Sequence, residues 1–158
     1  PVDKLRPGQR YNYRISGTAE NNTVSGQFQT FPGKPASYKI VFGSCQETGS
    51  ESTIFDNIRQ EEPLVFLQIG DLHYENIDRN CQSRFDSAYL RIFSSKRQAQ
   101  LYQNTPLVYL WDDHDFGPNN SGADNPCRSV AILQYKKHFP HYPVALDGVN
   151  GPISQSFE

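Results

Sequence analysis

Three short, largely apolar runs, each ending abruptly in a cluster of reactive polar side chains, constrain this chain most. Residues 38–43 lead into Gly43-Ser44-Cys45, residues 64–69 into Gly70-Asp71-Leu72-His73-Tyr74, and residues 107–111 into Trp111-Asp112-Asp113-His114-Asp115. Runs of this length without polar alternation read as strands apolar on both faces, the habit of parallel sheets covered by helices. Successive parallel strands deliver their C-terminal ends to one rim, where open α/β sheets keep their chemistry. A thiol, carboxylates, a phenol and imidazoles gathered on such a rim outline a metal site.

The segments between these runs support the same architecture. Residues 53–60 read as a helix carrying Ile54, Phe55 and Ile58, and residues 83–102 as one long amphipathic helix with Phe85, Tyr89, Ile92, Phe93 and Leu101 among its apolar positions. The order β-α-β-α-β argues a parallel, covered sheet. Beyond it, residues 121–128 form a Gly/Asn/Pro loop and residues 129–138 a helix with Val130, Ile132, Leu133 and Tyr135. Phe139-Pro140-His141-Tyr142-Pro143 ends that helix, because each proline drives its predecessor out of the α region. Residues 152–157 read as the start of a further strand.

The first residues have a different period. A turn followed by alternation over residues 5–15, then a second strand over 24–31, predicts a hairpin, which cannot stand alone. Its Leu5-x-Pro7-Gly8-x-x-Tyr11-x-Tyr13 pattern resembles the tyrosine corner of an immunoglobulin-like or fibronectin type III sandwich, with Tyr11 or Tyr13 turning its hydroxyl back to the loop. Phe31-Pro32-Gly33-Lys34-Pro35 is a linker. The expected organisation is residues 1–34 as the C-terminal strands of a β-sandwich domain whose upstream strands are missing. Residues 38–158 are then the N-terminal part of an α/β domain.

Charge narrows the partners. The net charge is -2 and no like-charge run exceeds Lys136-Lys137 or Glu61-Glu62, so neither a nucleic-acid stripe nor a polybasic membrane patch is present. No apolar stretch approaches the roughly 20 residues of a membrane span. A small or locally charged substrate fits this composition. The chain begins without Met or a signal-like apolar segment, so any export signal has been removed or lies upstream. Three cysteines leave two readings. Cys81 and Cys127 lie in turn-rich stretches just after the second and third motifs, and a disulfide between them would leave Cys45 free and imply an oxidising compartment. Three reduced cysteines in a cytosolic protein fit the spacing equally. Asn21-Asn22-Thr23 and Asn119-Asn120-Ser121 match the N-glycosylation pattern, which is common by chance.

Taken residue by residue, Asp71 emerges where a buried strand ends, Gly70 permits close approach, and Tyr74 could turn toward the same ion while His73 points outward. Cys45 is placed in the same way, its alternative being a buried structural thiol. A thiolate and a phenolate favour a trivalent or soft transition ion such as iron, whereas carboxylate and amide oxygens suit a neighbouring hard divalent ion. Three carboxylates in Asp112-Asp113-His114-Asp115 are hard to explain by stability, because like charges repel and need a cation or solvent. Asn119 and Asn120 follow as ligands or plain turn formers. Arg128 is either a phosphate partner or a surface residue at the start of a helix.

These motifs, with Phe42 and Gln46 around the first, Glu75 after the second and Phe116-Gly117-Pro118-Asn119-Asn120 after the third, resemble the signatures of the alkaline phosphatase D family, the PhoD-like metallophosphoesterases. The resemblance covers nearly the whole chain and implies the front half of a metallophosphatase-type α/β sandwich, preceded by the hairpin remnant. It implies a metal-dependent phosphoric ester hydrolase using metal-activated water, with iron and calcium as cofactors and other divalent metals as substitutes. By that resemblance Cys45, Asp71 and Tyr74 would bind iron, Asp71 would bridge to calcium, and Asn119, or Asn120, would be a calcium ligand. His114 would contact the phosphoryl group or protonate the leaving oxygen, and Asp113 stands where the wider superfamily has a ligand Asn. The substrate would be a phosphate mono- or diester, and the full-length protein a secreted, extracellular or periplasmic monomer. The second half of the sheet, which would supply further ligands, is absent from this chain.

Two other readings compete. A serine or cysteine esterase would use Ser44 or Cys45 with His114 or His73 as base, although no Gly-x-Ser-x-Gly elbow is present. Alternatively the fragment is an inactive module that only binds metal or a partner.

Overall fold

The computed structural model describes residues 2–17, 23–141 and 153. In chain order these hold β1 (Arg10–Ser16), β2 (Thr23–Gln29), β3 (Ile40–Gly43), α1 (Ile54–Gln60), β4 (Val65–Ile69), α2 (Cys81–Ser94), α3 (Lys96–Asn104), β5 (Leu107–Leu110) and α4 (Arg128–His138). A 3-10 turn, Asp113–Asp115, follows β5. The strand expected over 152–157 and the prolyl stop at Pro143 lie outside the described residues, Ile153 excepted.

Strands β3, β4 and β5 form a parallel sheet in that spatial order. Each strand is added on the same side of the last, and crossovers between parallel strands are right-handed. Both crossovers must therefore lie on one face. Val41, Phe66, Leu107 and Tyr109 share that face and pack into two contiguous clusters with the helices, around Phe55 and Leu101 on one side and around Phe85, Tyr89, Ile92 and Tyr135 on the other. The expectation of a sheet covered on both faces holds only in part for the described residues, since Val65 on the second face is buried. On the opposite face Ile40, Phe42, Ile69 and Leu110 are exposed, Phe42 to 69%. Continuous apolar runs predict two faces fit for burial; strand order decides which one these helices cover.

The helix expected over 83–102 is two helices. Ser95 adopts extended backbone (φ -64°, ψ 122°) and separates α2 from α3. Its hydroxyl donates to the Ser50 carbonyl at 2.6 Å, and the Glu51 carboxylate accepts the amides of Lys96 at 2.6 Å and Arg97 at 3.4 Å. Glu51 thus satisfies donors that the first turn of a helix leaves open. The amide of Lys96 in turn holds the Glu51 carboxyl below its ordinary value. A cap supplied from the loop after β3 leaves no mark in the local sequence.

The hairpin is antiparallel, with Tyr11 opposite Phe28 and their rings stacked at 5.7 Å. Tyr11 makes the corner contact, its hydroxyl accepting the Arg6 amide at 2.7 Å. Tyr13 instead donates to the Gln103 carbonyl at 3.0 Å, near the end of α3. Gly26 sits so close to that carbonyl that a Cβ would lie 2.0 Å from it. Cys81 and Cys127 are bonded, with Cα atoms 5.5 Å apart, tying the start of α2 to the start of α4. The reading of three reduced cysteines is thereby overturned, and Cys45 is free and exposed.

Candidate metal centre

The three strands end together, and the loops beyond them continue the pairing. The Cys45 amide donates to the Gly70 carbonyl at 3.2 Å and the Gln46 amide to the Asp71 carbonyl at 3.1 Å. Cys45 (φ 58°) and Asp71 (φ 52°) both adopt left-handed backbone immediately after their strands, a conformation costly for residues with a Cβ. Strain of that kind concentrates at functional sites. The two side chains meet there, Cys45 Sγ lying 3.6 Å from Asp71 Oδ2.

The Tyr74 hydroxyl completes this group. Its hydrogen bond to Cys45, followed by desolvation, the charge of Cys45 and that of Asp71, pushes the phenol up to about 12. The Tyr74 amide is fixed by Thr48 Oγ1 at 3.0 Å, and the ring lies against His114 with centroids 4.5 Å apart. Asp71, Asp113 and His114 each offer a donor atom within 4.8 Å of the others. Burial raises the Asp71 carboxyl and the nearby Asp113 and Asp112 raise it further, while His114 acts in the opposite sense. Among the described residues, Asp71 Oδ1 and His114 Nδ1 are buried without a hydrogen-bond partner. Each such atom costs about 1–3 kcal/mol, a cost that a bound cation would remove. One thiol, a phenol, an imidazole and two carboxylates form a donor set suited to a transition ion, with oxygen left for a harder neighbour.

The acidic cluster proves to be three different things. Asp112 caps the 3-10 turn, accepting the Asp113 amide at 3.0 Å. Asp113 joins Asp71 and His114 in the candidate ligand group while holding the amides of His114 and Asn120. Asp115 is fully buried and accepts the amides of Asp71, Leu72 and Asp112 and the Tyr109 hydroxyl. Burial pushes its carboxyl up to about 7 against the pull of those donors. Of the two expected remedies for repulsion, a cation or solvent, exposed Asp112 has solvent, whereas buried Asp115 has neither and is satisfied by protein donors instead. The i, i+3 spacing of Asp112 and Asp115, a capping-box pattern, is the signal in the sequence that could have separated them.

Other expected residues fall as follows. The Asn119 amide is held by Asn76 Oδ1 at 2.8 Å, whereas Asn120 reaches the site through its own amide on Asp113. His73 does not point outward: it is buried between the rings of Phe85 and Tyr89, and desolvation pushes it down to about 3. Arg128 opens α4. Ser44 is exposed. Gly70 has φ 103°, and an added Cβ would lie 2.6 Å from Asp112 Cβ. Gly70→Ala is therefore expected to cost about 2–3 kcal/mol, from positive φ and overpacking together, measured as a lower urea midpoint.

No family model matches the chain. Purple acid phosphatase 23 of Arabidopsis thaliana is 23% identical over 177 residues, an alignment covering 99% of this chain and 37% of that protein. The structure of PhoD superposes with a TM-score of 0.73 at 22% identity, covering 95% of this chain and 34% of that one. The chain thus spans little more than a third of the length of either. Over nearly its whole described length, it carries the mixed α/β fold seen in PhoD.

Proposed function

We propose that this chain forms the front part of a metal-dependent phosphoric ester hydrolase of the alkaline phosphatase D type. The observation that carries the reading is the convergence of Cys45, Asp71, Tyr74, Asp113 and His114 at adjoining strand ends of a PhoD-like fold. Cys45, Asp71 and Tyr74 would hold iron; Asp71, with Asp113 and either Asn119 or Asn120, would hold calcium. When bound, such a pair lowers the pKa of water toward neutrality and clamps phosphoryl oxygens. His114 would give a proton to the departing oxygen, and the ring of Tyr74 against it restricts its orientation. Residues 1–34 would be the end of a β-sandwich domain and 38–158 the start of the catalytic domain. The disulfide fits an extracellular or periplasmic site of action, and the substrate would be a phosphate mono- or diester, taken by a full-length monomer.

An esterase with Ser44 or Cys45 as nucleophile is less well supported, because the thiol's neighbours are a carboxylate and a phenol rather than an imidazole. A chelator separates the two. In the full-length protein, metal removal is expected to abolish hydrolysis of an aryl phosphate, and restored iron and calcium to return it; a thiol or serine esterase would be unaffected. Cys45→Ala is expected to lower bound iron by at least half, by elemental analysis. Full iron and full activity in that variant would remove the thiolate from the ligand set.

A further inference from the structure

The 70–72 segment is held from both sides. On the carbonyl side, Gly70 accepts from the Cys45 amide and from Gln68 Nε2 at 2.7 Å. Asp71 accepts from the Gln46 amide and from Gln68 Nε2, and Leu72 from Gln46 Nε2 at 2.9 Å. On the amide side one group does the holding. Asp115 Oδ2 takes the Asp71 amide at 2.7 Å and Asp115 Oδ1 the Leu72 amide at 2.9 Å. Both oxygens are also tied to the third loop and strand, through the Asp112 amide at 2.8 Å and the Tyr109 hydroxyl at 2.5 Å.

We propose that Asp115 is a positioning residue, whose buried carboxylate holds the Asp71 main chain in its left-handed conformation and so fixes where the Asp71 side chain meets the metal cluster. The inference rests on the metal-site reading above. Left-handed backbone costs an aspartate free energy and persists only where surroundings over-determine it. Two successive amides converging on one acceptor are such a constraint, because relaxation of Asp71 toward β or right-handed α backbone would separate them. A carboxylate alone among side chains offers two oxygens with no donor of its own. An asparagine would turn an NH2 group against one of the pairs of donors.

The test uses the full-length protein and Asp115→Asn, with Asp115→Glu as a second variant if the first does not fold. Three quantities are read under conditions where near-ultraviolet circular dichroism shows a native fold. They are amide hydrogen exchange at Asp71 and Leu72 without metal, calcium affinity by titration, and kcat and KM on an aryl phosphate. Expected are loss of protection at whichever of the two amides faces the asparagine NH2 group, calcium affinity lowered tenfold or more, and a fall in kcat with KM changed less than threefold. Ile92→Ala, a destabilising change in the core, should alter none of the three in the folded protein. Native protection and native calcium affinity in a folded Asp115 variant would overturn the inference. Failure of the wild-type protein to take up iron or calcium would overturn the underlying metal-site reading, and this inference with it.

Discussion

Asp71→Asn in the full-length protein is expected to lower aryl phosphate turnover by about a thousandfold or more, roughly 4 kcal/mol of transition-state stabilisation. Asparagine tolerates left-handed backbone at least as well as aspartate, so the change should leave the φ of 52° at this position intact and remove only the charge and one acceptor oxygen. The loss should therefore appear in metal content as well as in rate. Stability should move the other way. Burial and the neighbouring Asp113 and Asp112 disfavour the Asp71 carboxylate in the metal-free chain, so metal-free Asp71→Asn should unfold at the same or a higher urea concentration than the wild type. More than a tenth of wild-type turnover with a full metal complement would exclude Asp71 as a ligand.

The second large effect concerns the disulfide. Cys81 and Cys127 are 46 residues apart in sequence, and closing a loop of that size restricts the unfolded chain by about 4 kcal/mol in the loop-entropy account. Cys127 is wholly buried in the cluster that holds Tyr89, Tyr109 and Tyr135. A double Cys81→Ser, Cys127→Ser variant should therefore lose about that amount, and reductant should lower the unfolding midpoint of the wild type but not of the variant. A difference below about 1 kcal/mol would mean that packing between α2 and α4 holds these helices without the bond. The stabilisation is a large fraction of what a domain usually has.

Much of the frame is legible in residue order because it depends on short-range pattern. The runs at 40–43, 65–69 and 107–110 read as strands from their composition, and the hairpin from alternation around a polar turn. The cysteine spacing left a Cys81–Cys127 bond and three reduced thiols equally open, and the contact between the starts of α2 and α4 decides for the bond. What escaped depends on contacts between distant segments. Ser95 sits in a helical pattern and is extended because Ser50 and Glu51 claim its neighbourhood. His73 resembles a rim residue until the rings of Phe85 and Tyr89 close around it. Asp115 reads as one more acid in a cluster, and only the course of the second loop shows that its oxygens are occupied by amides. The exposure of Ile40, Phe42, Ile69 and Leu110 among the described residues goes with strand order, which apolar periodicity does not encode.

The docking of the hairpin has a practical consequence. Tyr13 is fastened to Gln103 and Arg10 to Glu62, residues that lead into β5 and β4 respectively. These strands run away from that end, toward Asp71 and Asp113. Exposed Ser25 on β2 therefore lies at the opposite pole from the rim. A biotin or surface anchor attached there would immobilise the molecule with the rim that carries Asp71 and Asp113 facing the solution.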